Sequence, residues 1–540
     1  MNNKFFEDTK KELINDPNME YNVSVTENGG LGYRTTGKSI LDTFYKISSL
    51  READDEDIKD IWNTICKDNF DLAVQFLFFV GDIRGGVGER KVFRTMFKEF
   101  CTISPQYASY FISLVPEYSR WDILWDLIGI NEMIDISIRS LVLEQIAEDR
   151  INMELEKPIS LLGKWLPSYN TSSAETKMKA KKLVKLLYSR DISNPIVQKG
   201  YRHTLSSLRK YLKVVERTIS ANEWDKVNYE AVPSKANLLY KDAFYKHDED
   251  RYKKYLQDLS EGKAKVNASV AFPVDIVSKY YNNDRFGRLN RAMPFIKEED
   301  TLLEEMWKAL PNYNTGDEND DTVCVLDTSG SMGHMLNNST TVLMLAMSIV
   351  AYFVDHSKSD FTKNVITYSA NPSLINLEDC KSLADKLNKM SRDEDNAYNT
   401  DIEKVFDLIL NTAIKNNYKQ EDIPSRILVV SDMEFDQAFR TDDYASADAR
   451  IFSIISKKYE DAGYKLPKLV FWNTCSRTNT IPVVENEAGV ILVSGYSANV
   501  MKMVLSDRLD PMDALLDMLG AERYDIVREK LTEAHSSIRG

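Results

Sequence analysis

Val325-Leu326-Asp327-Thr328-Ser329-Gly330-Ser331-Met332 decides how the C-terminal part of this chain is read. The residues leading into it, Asp321 to Leu326, form a short run rich in β-favouring types, and a helical pattern opens soon after, near Thr340. In an open α/β sheet, ligands gather at the carboxyl ends of strands, which is where this stretch falls. Asp327, Ser329 and Ser331 alternate on a tight turn, so one carboxylate and two hydroxyls can converge on a point. These are hard oxygen donors, suited to Mg2+ or Mn2+ rather than zinc. The plainer alternative is that they cap the next helix or shape a turn, although a cap needs only one such oxygen.

Working outward, further β-rich runs lie at Lys363 to Tyr368, Arg426 to Val430, Leu469 to Trp472 and Val490 to Val493. Helical patterns separate them, over about Thr340 to His356, Asp401 to Asn416, Ala445 to Ala462 and Ala498 to Leu509. Apolar strands alternating with helices predict a mostly parallel sheet covered on both faces. Polar helices over about Pro511 to Leu519 and Ala521 to His535 close the chain. Two later elements fit the same site. Thr400 precedes Asp401 after the polar loop Ser391 to Asn399. Asp432, in Ser431-Asp432-Met433-Glu434-Phe435-Asp436, stands at a strand's carboxyl end, from which it can approach an ion directly or through water.

The order Asp-x-Ser-x-Ser, distant Thr, distant Asp resembles the von Willebrand factor A domain, a Rossmann-like α/β fold, and its metal-ion-dependent adhesion site. The resemblance implies a metal site made of Asp327, Ser329, Ser331, Thr400 and Asp432, with residues 316–540 as the A-like domain. In that family the ion commonly accepts an oxygen from a partner's Glu or Asp, and the domain binds rather than catalyses. No nucleophile and base pair stands beside the motif, and His334 reads as a solvated side chain.

The polar run Pro311 to Asp320 is the best linker, and residues 1–315 before it have a different texture. Apolar residues recur at spacings of three and four in Leu41 to Leu50, Ile58 to Phe79, Val92 to Phe97, Tyr107 to Leu114, Trp121 to Leu127 and Ile134 to Arg150. Gly or Pro breaks separate several of them. This predicts an all-α region of stacked helical hairpins, an α-solenoid or irregular bundle of HEAT-like repeats. The segment Gly81 to Arg90 is glycine-rich, but it follows a helix pattern and lacks the Lys-Ser/Thr of a phosphate loop, so a tight helix–helix turn is expected.

Between Lys177 and Arg217 the chain carries twelve basic residues against Asp191 and Glu216, a local charge of +10 in a chain of net charge -14. Lys177, Lys181, Lys182, Lys185, Arg190, Arg202, Arg209, Lys210 and Lys213 are the candidate RNA contacts, because such segregation steers a polyanion. Trp165, Tyr188, Tyr201, His203 and Tyr211 are the aromatic groups that could stack on unpaired bases. The same charges read equally well as solvated helix faces balanced by acidic neighbours.

A long helical half followed by an A domain resembles the TROVE and Ro autoantigen proteins. In those, helical repeats form a ring closed by the A domain, and RNA is bound. A closer resemblance is to an uncharacterised family of A-domain proteins from phages, giant viruses, fungi and plants. Its marks are the Arg84 to Arg90 loop, Lys164 to Asn170, Tyr188 to Asp191, Val232-Pro233-Ser234, Asp327 to Ser331 and Ser431 to Asp436.

The 540 residues are 43% hydrophobic and 28% charged, an ordinary globular composition. The acidic balance argues against a generic DNA-coating protein. No secretory signal or membrane span is legible, and five scattered cysteines argue against a disulfide framework, so a reducing cytoplasmic location is expected, in the host cell where a virus or phage carries the gene. Three functions follow in order: RNA or ribonucleoprotein binding by the helical region, capture of an acidic protein partner by the metal site, and metal-dependent hydrolysis drawing on Glu434 and Asp436. The last lacks a clear second ligand set for two-metal chemistry.

Overall fold

The computed structural model describes residues 22, 24–27, 31–281, 298–312, 321–337, 339–368, 372–391, 402–434, 451–482, 489–504 and 510–539. The chain builds two compact units, a mostly helical one and a mixed α/β one. The α/β unit takes Met1–Ala53, Pro233–Leu238 and Leu256–Leu519, and the helical unit takes Asp54–Val232, Leu239–Tyr255 and Gly520–Gly540.

In the helical unit, the periodic stretch Ile58 to Phe79 is two helices, Asp55–Asp68 and Phe70–Gly81. Asn69 breaks it: its backbone is extended, with φ -157°, and its side chain accepts a hydrogen bond from the Leu72 amide at 3.0 Å. A capped helix start outweighs continuation of the apolar period there. Helices Arg90–Ile103, Pro105–Phe111 and Glu132–Glu154 follow. Their core is aromatic: the Phe78 ring lies 5.9 Å from Phe93, 6.0 Å from Phe97 and 5.7 Å from Phe111. The segment Gly81 to Arg90 is a packed turn. Val87 donates its amide to Phe79 O at 3.0 Å, and a side chain at Gly86 would come within 2.1 Å of that same carbonyl oxygen. These glycines therefore serve close backbone approach. The last helix, Asp525–Arg539, belongs to this unit: Arg523 forks onto the buried Asp82, which also accepts from the Tyr524 hydroxyl at 3.0 Å.

The α/β unit is built on a six-stranded sheet. In chain order its strands are β3 (Thr322–Asp327), β6 (Asn364–Tyr368), β7 (Leu374–Asn376), β8 (Arg426–Ser431), β9 (Lys468–Asn473) and β10 (Val490–Ser494). Their spatial order is β10-β9-β8-β3-β6-β7, parallel except for the antiparallel edge strand β7. Every residue of β3 and β8 is buried, as strands covered on both faces require. The apolar helix Val342–His356 is buried along nearly its whole length and packs on β3 and β8. Sequence patterning misses β7, the helix Leu383–Ser391 and two small hairpins. One hairpin pairs β4 (Met335–Asn337) with β5 (Thr340–Thr341).

The other small hairpin pairs β1 (Ser24–Val25) with β2 (Leu31–Gly32), and Tyr33 continues it by bridging to Ile481. A side chain at Gly32 would meet Thr480 Cγ2 at 2.6 Å and Ile481 O at 2.7 Å, so the hairpin is seated by direct backbone approach. Beyond it, Ser48 donates to Asn473 O at 3.1 Å and Asn473 donates to Tyr45 O at 2.8 Å. The N-terminal segment is thereby tied to the carboxyl end of β9. All five cysteines are free, and among the described residues no helix is long and apolar enough to cross a membrane.

Candidate functional site

The sheet places the last residue of β3, Asp327, beside the first residue after β8, Asp432, because Leu326 and Val430 are in register on adjacent parallel strands. Both carboxylates are fully buried. Asp327 Oδ1 accepts the Ser329 amide at 2.9 Å, and its Oδ2 accepts the Ser431 hydroxyl at 2.5 Å. The Ser329 and Ser331 hydroxyl oxygens lie 2.9 Å apart, and Ser331 in turn hydrogen-bonds Asp432. Asp432 Oδ2 accepts from Arg477 Nη1 at 3.1 Å. Asp327, Ser329, Ser331 and Asp432 thus form one hydrogen-bonded cluster. Thr400 lies outside the described residues, as do Asp401 and Asp436.

Burial, and then the neighbouring Asp432, push the Asp327 carboxyl well above its ordinary range. Burial raises Asp432 too, and the Arg477 guanidinium works against that rise. Two buried carboxylates stand side by side with the Arg477 guanidinium on Asp432, and the surrounding hydroxyls are hard donors. That donor chemistry fits a divalent cation such as Mg2+ or Mn2+. Among the described residues no group of three or more His, Cys, Asp and Glu side chains converges as a metal site, so the fit rests on two carboxylates supplemented by hydroxyls.

Glu434 has a different task. Met433 adopts a left-handed conformation, φ 63°, and turns the chain so that Glu434 is buried. Its carboxylate accepts the amides of Glu27 (2.8 Å), Arg477 (2.7 Å) and Thr478 (2.9 Å) and the Ser476 and Thr478 hydroxyls. These bonds fix the 476–478 turn and the N-terminal hairpin, so Glu434 is engaged in structure. Ser431 and Arg477 join the cluster without having been singled out from sequence. Ser431, a hydroxyl residue next to Asp432 at a strand end, carries a readable signal. Arg477, far along the chain, carries none. His334 Nε2 lies 3.6 Å from Glu52, and the side chain is 40% exposed.

The basic stretch forms the helices Ala174–Tyr188 and Pro195–Tyr211 of the helical unit and the turn beyond. Lys177, Lys181, Lys182, Lys185, Arg190, Arg202, Lys210 and Lys213 are exposed. Lys179 instead bridges Asp126 at 2.7 Å and Glu175 at 2.8 Å. Arg209 is half-buried and donates to Gly163 O (3.0 Å), Leu166 O (2.7 Å) and Ser168 Oγ (2.8 Å), holding the 163–168 turn together. The aromatic residues divide as well. Tyr201 is buried, its hydroxyl bonded to Pro167 O at 2.8 Å, so its ring is core and not a stacking platform. Tyr211 is half-buried and bonded to Lys157 O, and Arg120 lies over the Trp165 ring at 4.2 Å. Tyr188 and His203 remain exposed. A cavity of about 680 Å³ opens between the helices Glu132–Glu154 and Ala174–Tyr188, lined by Glu132, Asp135 and Arg139 of the first and Lys182 and Lys185 of the second. Another of about 560 Å³ lies beside the 163–168 turn and includes Lys164, Arg202 and Arg217.

Residues 321–534 match a domain of unknown function, DUF7788, and residues 134–312 match a second, DUF2828. Over 542 residues the chain is 28% identical to the uncharacterized protein L728 of Acanthamoeba polyphaga mimivirus, covering 92% of this chain and 87% of that protein. The resemblance to a giant-virus protein read from the motifs therefore runs along nearly the whole chain. Among solved structures, the chain is similar to the Ro (RSR) protein of Deinococcus radiodurans, with a TM-score of 0.43, 13% identity, and coverage of 83% of this chain and 92% of that one.

Proposed function

We propose that this is a non-catalytic binding protein whose helical unit engages RNA or a ribonucleoprotein, while its α/β unit is a von Willebrand A-like domain holding one divalent cation. The observation that carries the RNA reading is the set of exposed cations Lys177, Lys181, Lys182 and Lys185 on one helix, with Arg190 after its end and Arg202, Lys210 and Lys213 exposed on the next helix and the turn beyond it. Solvated cations of this kind displace counterions from a phosphate backbone. Asp327, Ser329, Ser331, Thr400 and Asp432 would hold Mg2+ or Mn2+. When bound, the ion supplies a Lewis-acidic position for an oxygen of an incoming group.

The test is binding of labelled single-stranded and structured RNA and of matched DNA to the whole chain, across a salt series with and without Mg2+. Affinity falling steeply with salt and favouring RNA is expected. The triple variant Lys181→Glu, Lys182→Glu, Arg202→Glu should weaken binding on the order of a hundredfold and lower the salt slope by roughly two to three. Arg209 is left in place, because it holds a turn. Unchanged affinity in the triple variant sinks the reading.

A second reading is favoured by the two buried carboxylates that the sheet brings together at Asp327 and Asp432. There the bound cation grips an acidic side chain of a protein partner, and the module serves assembly. Capture of a partner that survives both chelator and Asp327→Ala would refute it.

A further inference from the structure

Arg477 occupies an unusual place. Its Nη1 donates to the buried Asp432 at 3.1 Å, while its Nε (3.0 Å) and Nη2 donate to Glu27 Oε2. One guanidinium therefore joins the candidate cation cluster to the N-terminal hairpin. The two carboxylates it bridges differ in setting: Asp432 is fully buried and Glu27 is 55% exposed. The amides of Glu27 and Arg477 both end on Glu434, so the hairpin and the 476–478 turn share a backbone anchor separate from the bonds of the guanidinium. A fork with several donors suits this shared role better than a point charge does.

We propose that Arg477 is the resident counter-cation of Asp432, and that Glu27 takes it over when a divalent ion enters the cluster, linking cation binding to seating of the β1–β2 hairpin. This rests on the reading of the Asp327–Asp432 cluster as a cation site. A positive group on Asp432 and an incoming cation compete for the same carboxylate. With Glu27 present, the displaced guanidinium keeps a full partner. By linkage, the ion that drives Arg477 onto Glu27 must tighten the hairpin, and loss of Glu27 must weaken the ion.

The two charges therefore have opposite signs of effect. Arg477→Gln removes the competitor and should raise Mn2+ affinity on the order of tenfold. Glu27→Gln leaves the guanidinium without its alternative partner and should lower affinity by a similar factor. Arg477→Lys keeps the positive charge and should stay near the parent. The double variant Glu27→Gln, Arg477→Gln should follow the Arg477→Gln single variant.

The experiment is Mn2+ titration of the whole chain at pH 8 followed by electron paramagnetic resonance, with amide hydrogen exchange of residues 31–34 recorded with and without saturating Mg2+. Exchange at the hairpin should slow when Mg2+ is added to the parent and stay unchanged in Glu27→Gln. If both single variants lose affinity together, Arg477 and Glu27 merely hold the loop and the inference fails. If the parent binds Mn2+ and neither variant shifts it, the inference fails while the cation site stands. If neither the parent nor Arg477→Gln binds Mn2+, the cation site itself is wrong and the inference falls with it.

Discussion

The Asp327 cluster and the helix Ala174–Tyr188 carry charge in opposite ways. At the cluster, two carboxylates are fully buried within a few residues of strand end, each held by hydroxyls, an amide or a guanidinium. On the helix, Lys177, Lys181, Lys182 and Lys185 project into solvent. Buried charge is strongly coupled to the fold and to any ion that replaces its solvation. Exposed charge is nearly uncoupled from the fold and acts over a distance set by salt. The same substitution of one charge should therefore register as stability in one place and as association in the other.

The largest expected effect is at Asp327. Burial, reinforced by Asp432, raises its carboxyl from 3.8 to about 7. The folded state then holds a proton that the unfolded chain has lost, so its contribution is favourable at low pH and disappears as pH rises through that window. Metal-free protein should lose α/β-unit stability from the Asp327–Asp432 pair as the pH rises through that window. Asp327→Asn should lack that loss and be the more stable protein in chelator at pH 8. Divalent cation should stabilise the parent and not the variant. Hydrogen exchange of the β3 and β8 amides at both pH values measures it. An identical pH dependence in parent and variant would show that the carboxyl titrates normally.

This contrast also explains which parts of the molecule were legible in sequence. The apolar strands and the helix Val342–His356 repeat local patterns dictated by burial on both faces and are legible in the sequence, and the Asp327 motif is legible as the turn that follows β3. The edge strand β7 is three residues long with Leu374 62% exposed, so no apolar run betrays it. The helix break at Asn69 hides inside an unbroken apolar period. Tyr201 was readable as core, since it stands four residues from Val197 and from Leu205 on one helical face, but counting aromatics between basic residues ignores that period. The Arg477–Asp432 pair spans 45 residues of chain with no motif at the arginine end. The change of texture near residue 315 is visible as composition. The assignment of residues 1–53 and 520–540 to units distant along the chain depends on contacts such as Tyr33 with Ile481 and Arg523 with Asp82, which no local pattern encodes.

Arg209 lies in the basic stretch but behaves as buried charge, with three acceptors in the 163–168 turn. Arg209→Ala removes three charge-assisted donors at once and should destabilise the helical unit by about 2–3 kcal/mol. Arg209→Lys should rescue little, because one ammonium cannot span the same three acceptors. Thermal unfolding of the three proteins side by side decides it, and a stability within experimental error of the parent would return Arg209 to the exposed set.

The smallest effects belong to the exposed lysines, and there the sign is informative. Lys181 is exposed and acts on Asp191 through space, so Lys181→Glu should change stability by less than about 0.5 kcal/mol. Lys182 lines the 680 Å³ cavity with Glu132 and Asp135, so Lys182→Glu adds a third carboxylate to that rim and should cost a few tenths of a kcal/mol more. Raising the salt should erase the difference between the two variants, since it is carried by screened surface charge. RNA affinity should order the variants differently, with both losing about the same, because each removes one phosphate contact. If Lys182→Glu instead unfolds the helical unit while Lys181→Glu does not, the cavity rim is a buried charge network like the Asp327 cluster, and the helix cannot be treated as a solvated surface along its whole length.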